Sequence, residues 1–292
     1  MKMRKILLQI YKLVKVVVQT LFGHGIKKIY PLIVANNFIN YLLKSNVAEV
    51  QGHKMFLDSK DTLYLSINGV YEPFETELVK KEIKNGDVVL DIGANIGYFT
   101  LIFAKIVGEE GKVFAFEPDP TNFSLLKKNV EINGYQNVIL IQKAVSNKTG
   151  KIKLYLSEEN LAGHRIYNLH GDRKSIEIEA IQLDDYFENY NGKIDFIKMD
   201  IEGAEGQAIQ GMFNLLKKNK TVKIVTEFLP IALKISGIEP IEYLKMLIEH
   251  GFKLYHINEQ KNRIEPVDIP KLLETYTPEK GNFTNLLCVK EK

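Results

Sequence analysis

The chain has 292 residues, of which 45% are hydrophobic, and its formal net charge is +3. This composition predicts a folded protein with a sizeable core and excludes an intrinsically disordered chain. The small charge and the scarcity of arginine among 39 cationic residues give no reason to expect a nucleic-acid partner, and the single cysteine, Cys288, excludes an internal disulfide.

Residues 1–46 predict an N-terminal helical extension. Residues 6–21 place apolar side chains on one helical face and lysines opposite, and a second helix is predicted from Pro31 to Leu43. A basic amphipathic helix can lie on an anionic membrane surface, so residues 1–21 are a candidate peripheral membrane contact; packing against protein is the alternative. No membrane-spanning run and no signal-peptide cleavage site is recognised, which predicts a cytoplasmic protein.

Residues 47–292 predict one domain in which strands and helices alternate. Short strands are expected between residues 47 and 67. The further predicted strands are 88–92, 112–117, 137–142, 193–200, 222–228, 252–257 and 284–290, with β-rich pieces at 150–157 and 174–183. The predicted helices are 72–83, 96–107, 120–133, 183–190, 203–218 and 239–250. This alternation predicts an α/β fold with a doubly wound, mostly parallel sheet.

The stretch "DIGANIG", residues 91–97, joins a predicted buried strand to a helix. A glycine-rich turn in this position is typical of a nucleotide site. The dinucleotide motif has three glycines, but Asn95 occupies the place of the middle one here. The carboxylate of Asp91 would repel a pyrophosphate, whereas it would attract the sulfonium and ammonium groups of S-adenosylmethionine (SAM). Glu117 ends the next strand and can accept both ribose hydroxyls of either cofactor.

The motifs "DIGANIGYFT", "FEPDP" and "KMDIEGAE" together resemble those of the FkbM-type SAM-dependent methyltransferases, over about residues 50–230. The resemblance implies a Rossmann-like class I methyltransferase fold, whose seven-stranded, mostly parallel sheet has one antiparallel strand. It also implies which residues bind SAM. The residues implied for the methionine part are Asp91, Gly93, Ala94, Asn95, Gly97 and Tyr98, and Glu72 and Thr76 would cover the methionyl end of the cofactor. Glu117 would hold the ribose and Ala144 would contact the adenine. Asp200 is a further cofactor candidate.

Two carboxylates are predicted to face the point of methyl transfer. Asp200 and Glu227 end the strands 193–200 and 222–228, and they face the same crevice if these strands are neighbours. The pair can bind Mg²⁺ that holds a hydroxylate, or one of them can remove the acceptor proton. The alternatives are that Asp200 only binds the cofactor or caps a helix, and that Glu227 pairs with a lysine.

A histidine offers a second way to remove that proton. His164, in the polar segment 158–174, can accept a hydroxyl proton near neutral pH, and His170 is a further candidate. A surface role without chemistry is the alternative for both residues.

The sequence therefore predicts a SAM-dependent methyltransferase that acts on a hydroxyl of a sugar, glycolipid or small natural product. N-methylation is the alternative within this class. Outside it, the alternatives are an NAD-linked oxidoreductase and a SAM-binding or membrane-peripheral protein without turnover. The expected partner is a small-molecule or glycan acceptor, nucleic acid is not expected, and the oligomeric state stays open.

Overall fold

The computed structural model of the protein describes residues 44–157, 163–167 and 173–290, together with the isolated positions 7, 9 and 11. Apart from those three positions, the predicted N-terminal helices and the candidate membrane contact lie outside the described residues, as does His170. The chain divides into two compact units, residues 1–71 and 72–292. The domain boundary predicted after residue 46 stays a prediction.

The first unit contains a short hairpin and one helical turn. Strands β1 (Val47–Val50) and β2 (His53–Phe56) pair antiparallel, as the sequence predicted for this segment. The predicted strand pattern up to residue 67 is wrong at its end, because Leu65–Asn68 is helical. The carboxylate of Asp61 accepts hydrogen bonds from the amide and the hydroxyl of Ser66, and these bonds hold the chain in a turn there.

The second unit contains most of the strands. In chain order they are β3 (Val88–Ile92), β4 (Lys112–Phe116), β5 (Val138–Ile141), β6 (Ala144–Val145), β7 (Gly150–Tyr155), β8 (Ser175–Ile181), β9 (Phe196–Met199), β10 (Lys223–Phe228), β11 (Phe252–Asn258), β12 (Arg263–Pro266) and β13 (Thr284–Lys290). They form an eight-stranded sheet of order β12-β11-β13-β10-β9-β3-β4-β5 and a three-stranded sheet of order β6-β8-β7. The two β-rich pieces predicted around residues 150 and 180 thus belong to a sheet of their own.

The large sheet confirms the predicted fold class. Strands β10, β9, β3, β4 and β5 run parallel, and β13 pairs antiparallel with both of its neighbours. An eighth strand, β12, lies at the edge and pairs antiparallel with β11. Strand β12 was not predicted, because "RIEP" is short, ends in proline and buries none of its residues fully.

The helices of the second unit are Pro73–Glu82, Tyr98–Val107, Pro120–Ile132, Leu183–Tyr186, Glu205–Gln210, Phe213–Lys218, Pro230–Ile235, Pro240–Glu249 and Ile269–Thr275. Proline opens several of them, where its fixed φ and missing amide suit a first helical turn. The main core contains the inward side chains of β3, β4, β9 and β10 together with those of the helices after β9. Within the described part of the chain, no helix has the length and apolar character needed to cross a bilayer.

The helix predicted over residues 203–218 is wrong as a single element. Glu205–Gln210 and Phe213–Lys218 are separate helices, with Gly211 between them. A Cβ atom at Gly211 would lie 1.9 Å from the backbone oxygen of Ser146, so the chain comes too close there for any larger residue. This contact is remote in sequence, and the periodicity of residues 203–218 gives no sign of it.

Candidate active site

The glycine turn at residues 91–97 packs against the carboxyl ends of β4 and β9. The amides of Gly93 and Ala94 both donate to the carbonyl of Phe116, at 3.0 and 2.9 Å, and the amide of Gly97 donates to Ala94 at 2.8 Å. Gly93 has a φ of +86°, and a Cβ atom there would lie 2.0 Å from the backbone oxygen of Asp200. Only glycine fits this position, which brings the turn directly against the residue that follows β9.

Glu117 ties the turn to the end of β4. Its Oε2 accepts the amide of Asn95 at 2.8 Å, and its Oε1 accepts the amide of Asp119 at 2.9 Å. Burial raises the pKa of Glu117 to about 7, against the opposing effect of these two bonds. Because a carboxylate oxygen has more than one acceptor position, each oxygen can also accept a ribose hydroxyl.

Asp91, at the end of β3, is a buried carboxylate. It accepts the hydroxyl of Thr100 at 2.5 Å. Burial raises the pKa of Asp91 to about 6, although the Thr100 bond and the charge of Lys198 act in the opposite direction. Two further residues predicted to contact the methionine part also meet, because Thr76 Oγ1 and the Tyr98 hydroxyl are 3.0 Å apart in the interior.

Glu72 immediately precedes the helix Pro73–Glu82. The helix start is fixed from far along the chain, since the Glu75 amide donates to the Glu259 carboxylate at 2.6 Å. One oxygen of Glu72 accepts the amide group of Asn285 at 3.1 Å. The other is buried and has no hydrogen-bond partner among the described residues. Burial, and secondarily the charge of Glu75, raises the pKa of Glu72 well above its usual value.

A buried lysine lies among these acids. Lys198 is on β9, with its Nζ 3.2 Å from Glu75 Oε1 and 3.4 Å from Asp200 Oδ2. The same ammonium group lies 4.9 Å from the ring centroid of Phe99. The side chains of Lys198 and Glu75 are almost fully buried, whereas that of Asp200 is 30% exposed. Asp200 is therefore the member of this ion-paired group that a ligand can reach from solvent.

Glu227 lies on β10, beside β9, so the structure brings it together with Asp200 as the sequence predicted. It is 7% exposed, and its Oε2 is buried with no hydrogen-bond partner among the residues described. Burial, followed by the charges of Asp200, Glu202 and Glu205, raises the pKa of Glu227 well above its usual value.

Glu202 holds the segment at residues 163–167 against the turn after β9. Its Oε2 accepts two nitrogens of Arg165, Nη2 at 2.6 Å and Nε at 3.2 Å, and its carbonyl accepts the Tyr167 hydroxyl. Sequence reasoning missed Arg165 and Lys198. Both gave a signal: Arg165 is a rare arginine in a lysine-rich chain, and Lys198 is a charge inside an apolar strand.

His164 lies beside Asp119, next to the residues at the end of β4. Its Nδ1 accepts the amide of Ser157 at 2.9 Å, and its Nε2 is 3.9 Å from Asp119 Oδ2. Burial lowers the pKa of His164, partly offset by the charge of Asp119. In the neutral ring Nε2 then carries the proton, so the only lone pair is already used. Its role as a base stays a prediction that this geometry does not favour.

Ala144 begins β6 and belongs to the small sheet. It packs in an apolar cluster with Leu154, Ile178 and Ala180. A small buried residue just beyond β5 is compatible with an adenine contact, which stays a prediction.

Comparison with known proteins decides the family. A family model for the methyltransferase FkbM domain matches residues 91–254, which is more than half of the chain. The chain belongs to the FkbM methyltransferase family. As the sequence predicted, this FkbM-family protein is a SAM-dependent methyltransferase, and the alternative of an NAD-linked oxidoreductase falls away.

Relatives of this FkbM-family protein include two named methyltransferases. It is 27% identical over 206 residues to the hexuronic acid methyltransferase AglP of Haloferax volcanii, covering 70% of this chain and 80% of the relative. It is 26% identical over 176 residues to the 2-O-methyltransferase NoeI of Sinorhizobium fredii, covering 53% and 71%. A solved SAM-dependent O-methyltransferase from Thermotoga maritima has 17% identity and a TM-score of 0.42, covering 76% of this chain and 66% of its own.

The site of this FkbM-family protein fits SAM on chemical grounds. Buried or half-buried carboxylates outnumber the cations at the strand ends, which suits a ligand with a sulfonium and an ammonium group and opposes a pyrophosphate. The acids concerned are Glu72, Glu75, Asp91, Asp200 and Glu227, around Lys198. The Mg²⁺ prediction finds no support, since the described residues include no group of three His, Cys, Asp or Glu side chains able to hold a metal ion.

Proposed function

We propose that this FkbM-family methyltransferase methylates a hydroxyl of a sugar, glycolipid or small natural product. The observation that carries the proposal is the pair of Asp200 and Glu227 at the carboxyl ends of neighbouring strands, directly beside the glycine turn. A hydroxyl acceptor must lose a proton, and carboxylates at this point can take it. The name of AglP, a hexuronic acid methyltransferase, supports a carbohydrate acceptor, and that of NoeI, a 2-O-methyltransferase, supports transfer to an oxygen.

The residues have separable roles in this reaction. Bound SAM supplies a methyl group on a positively charged sulfur. Asp91 and Glu72 offer carboxylates to the ammonium and sulfonium end, and Glu117 offers acceptors to the ribose hydroxyls. Asp200, which is partly exposed, can orient the acceptor hydroxyl at the mouth of the site. Alignment of the hydroxyl oxygen with the methyl carbon then supplies most of the rate enhancement.

The test is transfer of labelled methyl groups from SAM into fractionated cell extract, separated into glycan, lipid, small-molecule, protein and nucleic-acid pools. We expect label in one of the first three pools. The label should be lost with Asp91→Asn, because this variant removes a buried carboxylate from the methionine end of the site. It should persist with Glu82→Gln, a matched control at the opposite end of β10, where Glu82 pairs with Lys223.

The chemistry of the labelled product decides between acceptors. An O-methyl ether survives alkali, a methyl ester releases methanol, and an N-methyl group stays with an amine. Ether label that is unchanged by EDTA agrees with the proposal and with a metal-free site. Label confined to amines, to protein or to nucleic acid would contradict the proposal, as would a protein that does not bind SAM at all.

A further inference from the structure

Glu227 is a buried acid of the site, and it has no ion pair with a cation among the described residues. Two cations near Glu227 in the described structure form ion pairs with other acids: Lys198 pairs with Glu75 and Asp200, and Arg165 pairs with Glu202. The ionisable groups that face Glu227 from the surrounding elements are Lys198 on β9, then Asp200, Glu202 and Glu205 after β9, Arg165 and Tyr167 from the segment 163–167, and Tyr243 from the helix Pro240–Glu249.

This arrangement determines the charge that Glu227 carries. A carboxylate without a partner in the interior is expensive, and neighbouring acids make it more so; such a group holds its proton instead. On β13, the residue directly opposite Glu227 is Asn285, whose side-chain amide already donates to Glu72. The charge of Lys198 favours the Glu227 anion, but burial and the charges of Asp200, Glu202 and Glu205 outweigh it and raise the pKa of Glu227.

We infer that Glu227 is the catalytic base and that the charge of the bound cofactor ionises it. The inference rests on the proposed function. In the free protein Glu227 holds a proton, which passes to solvent when the sulfonium enters. During transfer, Glu227 takes the acceptor O–H proton while the carbon–sulfur bond breaks and the new carbon–oxygen bond forms. Carboxylate and sulfonium thus lose their charges together, leaving a neutral acid beside the thioether of S-adenosylhomocysteine (SAH).

The other two candidate bases that lie within the described residues fit less well. Asp200 already has a charge partner within the chain, the ammonium group of Lys198 at 3.4 Å. The Nδ1 lone pair of His164 is used by Ser157. This role also gives a reason for a buried acid beside other acids: Glu227 makes the site prefer the charged sulfur of SAM over the neutral sulfur of SAH.

The test needs no acceptor. Binding of SAM, SAH and sinefungin, whose ammonium group replaces the sulfonium, is measured calorimetrically in buffers of different ionisation enthalpy, with EDTA throughout. We expect SAM and sinefungin each to release about one proton more than SAH does. While free Glu227 is still protonated, the SAM dissociation constant should fall by up to about tenfold per pH unit as pH rises.

A variant assigns the proton. Glu227→Gln should bind SAM without this release and with a smaller preference for SAM over SAH, whereas Glu82→Gln should behave like the wild type. Equal proton release by SAM and SAH would overturn the inference, and so would unchanged release in Glu227→Gln. The comparison of SAM with SAH on the wild type decides the matter even if that variant fails to fold. Absence of SAM binding would instead contradict the proposed function.

Discussion

The glycine turn, residues 91–97, lies beside a group of acids that we call the acid cluster: Glu72, Glu75, Asp200, Glu205 and Glu227. The two regions differ in how many of their polar atoms have hydrogen-bond partners. In the turn, backbone amides donate to the carbonyl of Phe116 and to Glu117, and Asp91 accepts the hydroxyl of Thr100. In the acid cluster, by contrast, carboxyl oxygens of Glu72, Glu205 and Glu227 are buried without a hydrogen-bond partner in the described chain, and Glu75 has its ion pair with Lys198.

This difference separates scaffold from binding surface. A turn whose donors and acceptors are paired holds its shape without a ligand. Buried polar atoms without partners destabilise the free protein, and they are retained where a ligand completes them. The acid cluster is therefore where we expect a positively charged ligand to bind, and the turn limits how closely that ligand can approach. Substitutions in the two regions should accordingly fail in different ways.

Gly93→Ala should have the largest effect on stability, because it disrupts the glycine turn, the rigid one of the two regions. Its Cβ would lie 2.0 Å from the backbone oxygen of Asp200, at a φ of +86°. The backbone of Asp200 cannot move aside as a flexible side chain could, so we expect a loss of at least about 4 kcal/mol in the free energy of unfolding, together with loss of SAM binding.

The control for this change is Gly237→Ala, at a φ of +95° with no heavy atom within 4 Å of the added carbon. It carries the backbone strain alone, about 1–2 kcal/mol. Urea unfolding of both variants separates strain from collision. Equal losses would show that the approach of Asp200 does not constrain the turn.

Lys198→Met should have the second largest effect on stability, because it removes the positive charge from the acid cluster while methionine has a side chain of similar size. Glu75 and Asp200 then lose their ion-pair partner in or beside the interior. Removing one partner of a buried pair costs about 3 kcal/mol. Lys198 lowers the raised pKa of Glu75, so its removal raises that pKa further.

The pH dependence of this variant follows from the sign of that shift. In the unfolded chain Glu75 is ionised at high pH. Keeping it protonated in the folded state therefore costs free energy at high pH, whereas it costs none at acidic pH. The loss of unfolding free energy in Lys198→Met should be near its full size at about pH 8 and should shrink by about half near pH 5. Chemical unfolding at both pH values measures it. A loss that is the same at both would mean that Lys198 acts through packing alone.

The turn was predictable from sequence and the acid cluster only in part, for a physical reason. "DIGANIG" follows a buried strand, so its place at a strand end is set by neighbours in the chain. Asp200 and Glu227 could be placed together because each ends a strand of a parallel sheet, where carboxyl ends share one edge. Glu75, Arg165 and Lys198 could not, since their partners come from other elements and leave no trace in local periodicity.

Glu205 provides the smallest and most selective test of the comparison. Its Oε1 accepts the amide of Ile201 at 3.0 Å, its Oε2 has no partner in the described residues, and burial raises its pKa to about 7. A carboxyl group whose pKa is higher in the folded than in the unfolded state stabilises the fold fully at pH values below its unfolded-state pKa. That contribution is lost as the pH rises through its folded-state pKa. The wild type should therefore lose stability between about pH 5 and pH 8 through this group.

Glu205→Gln keeps the shape and the Oε1 acceptor but cannot ionise. Relative to the wild type, it should gain about 2 kcal/mol in unfolding free energy when the pH is raised from about 5 to about 8. Glu77→Gln, whose carboxylate is exposed beside Lys80, is the matched control and should show no such gain. If both variants gain equally, the unpartnered oxygens of the acid cluster impose no charge penalty, and the contrast between a satisfied turn and an unsatisfied cluster loses its energetic meaning.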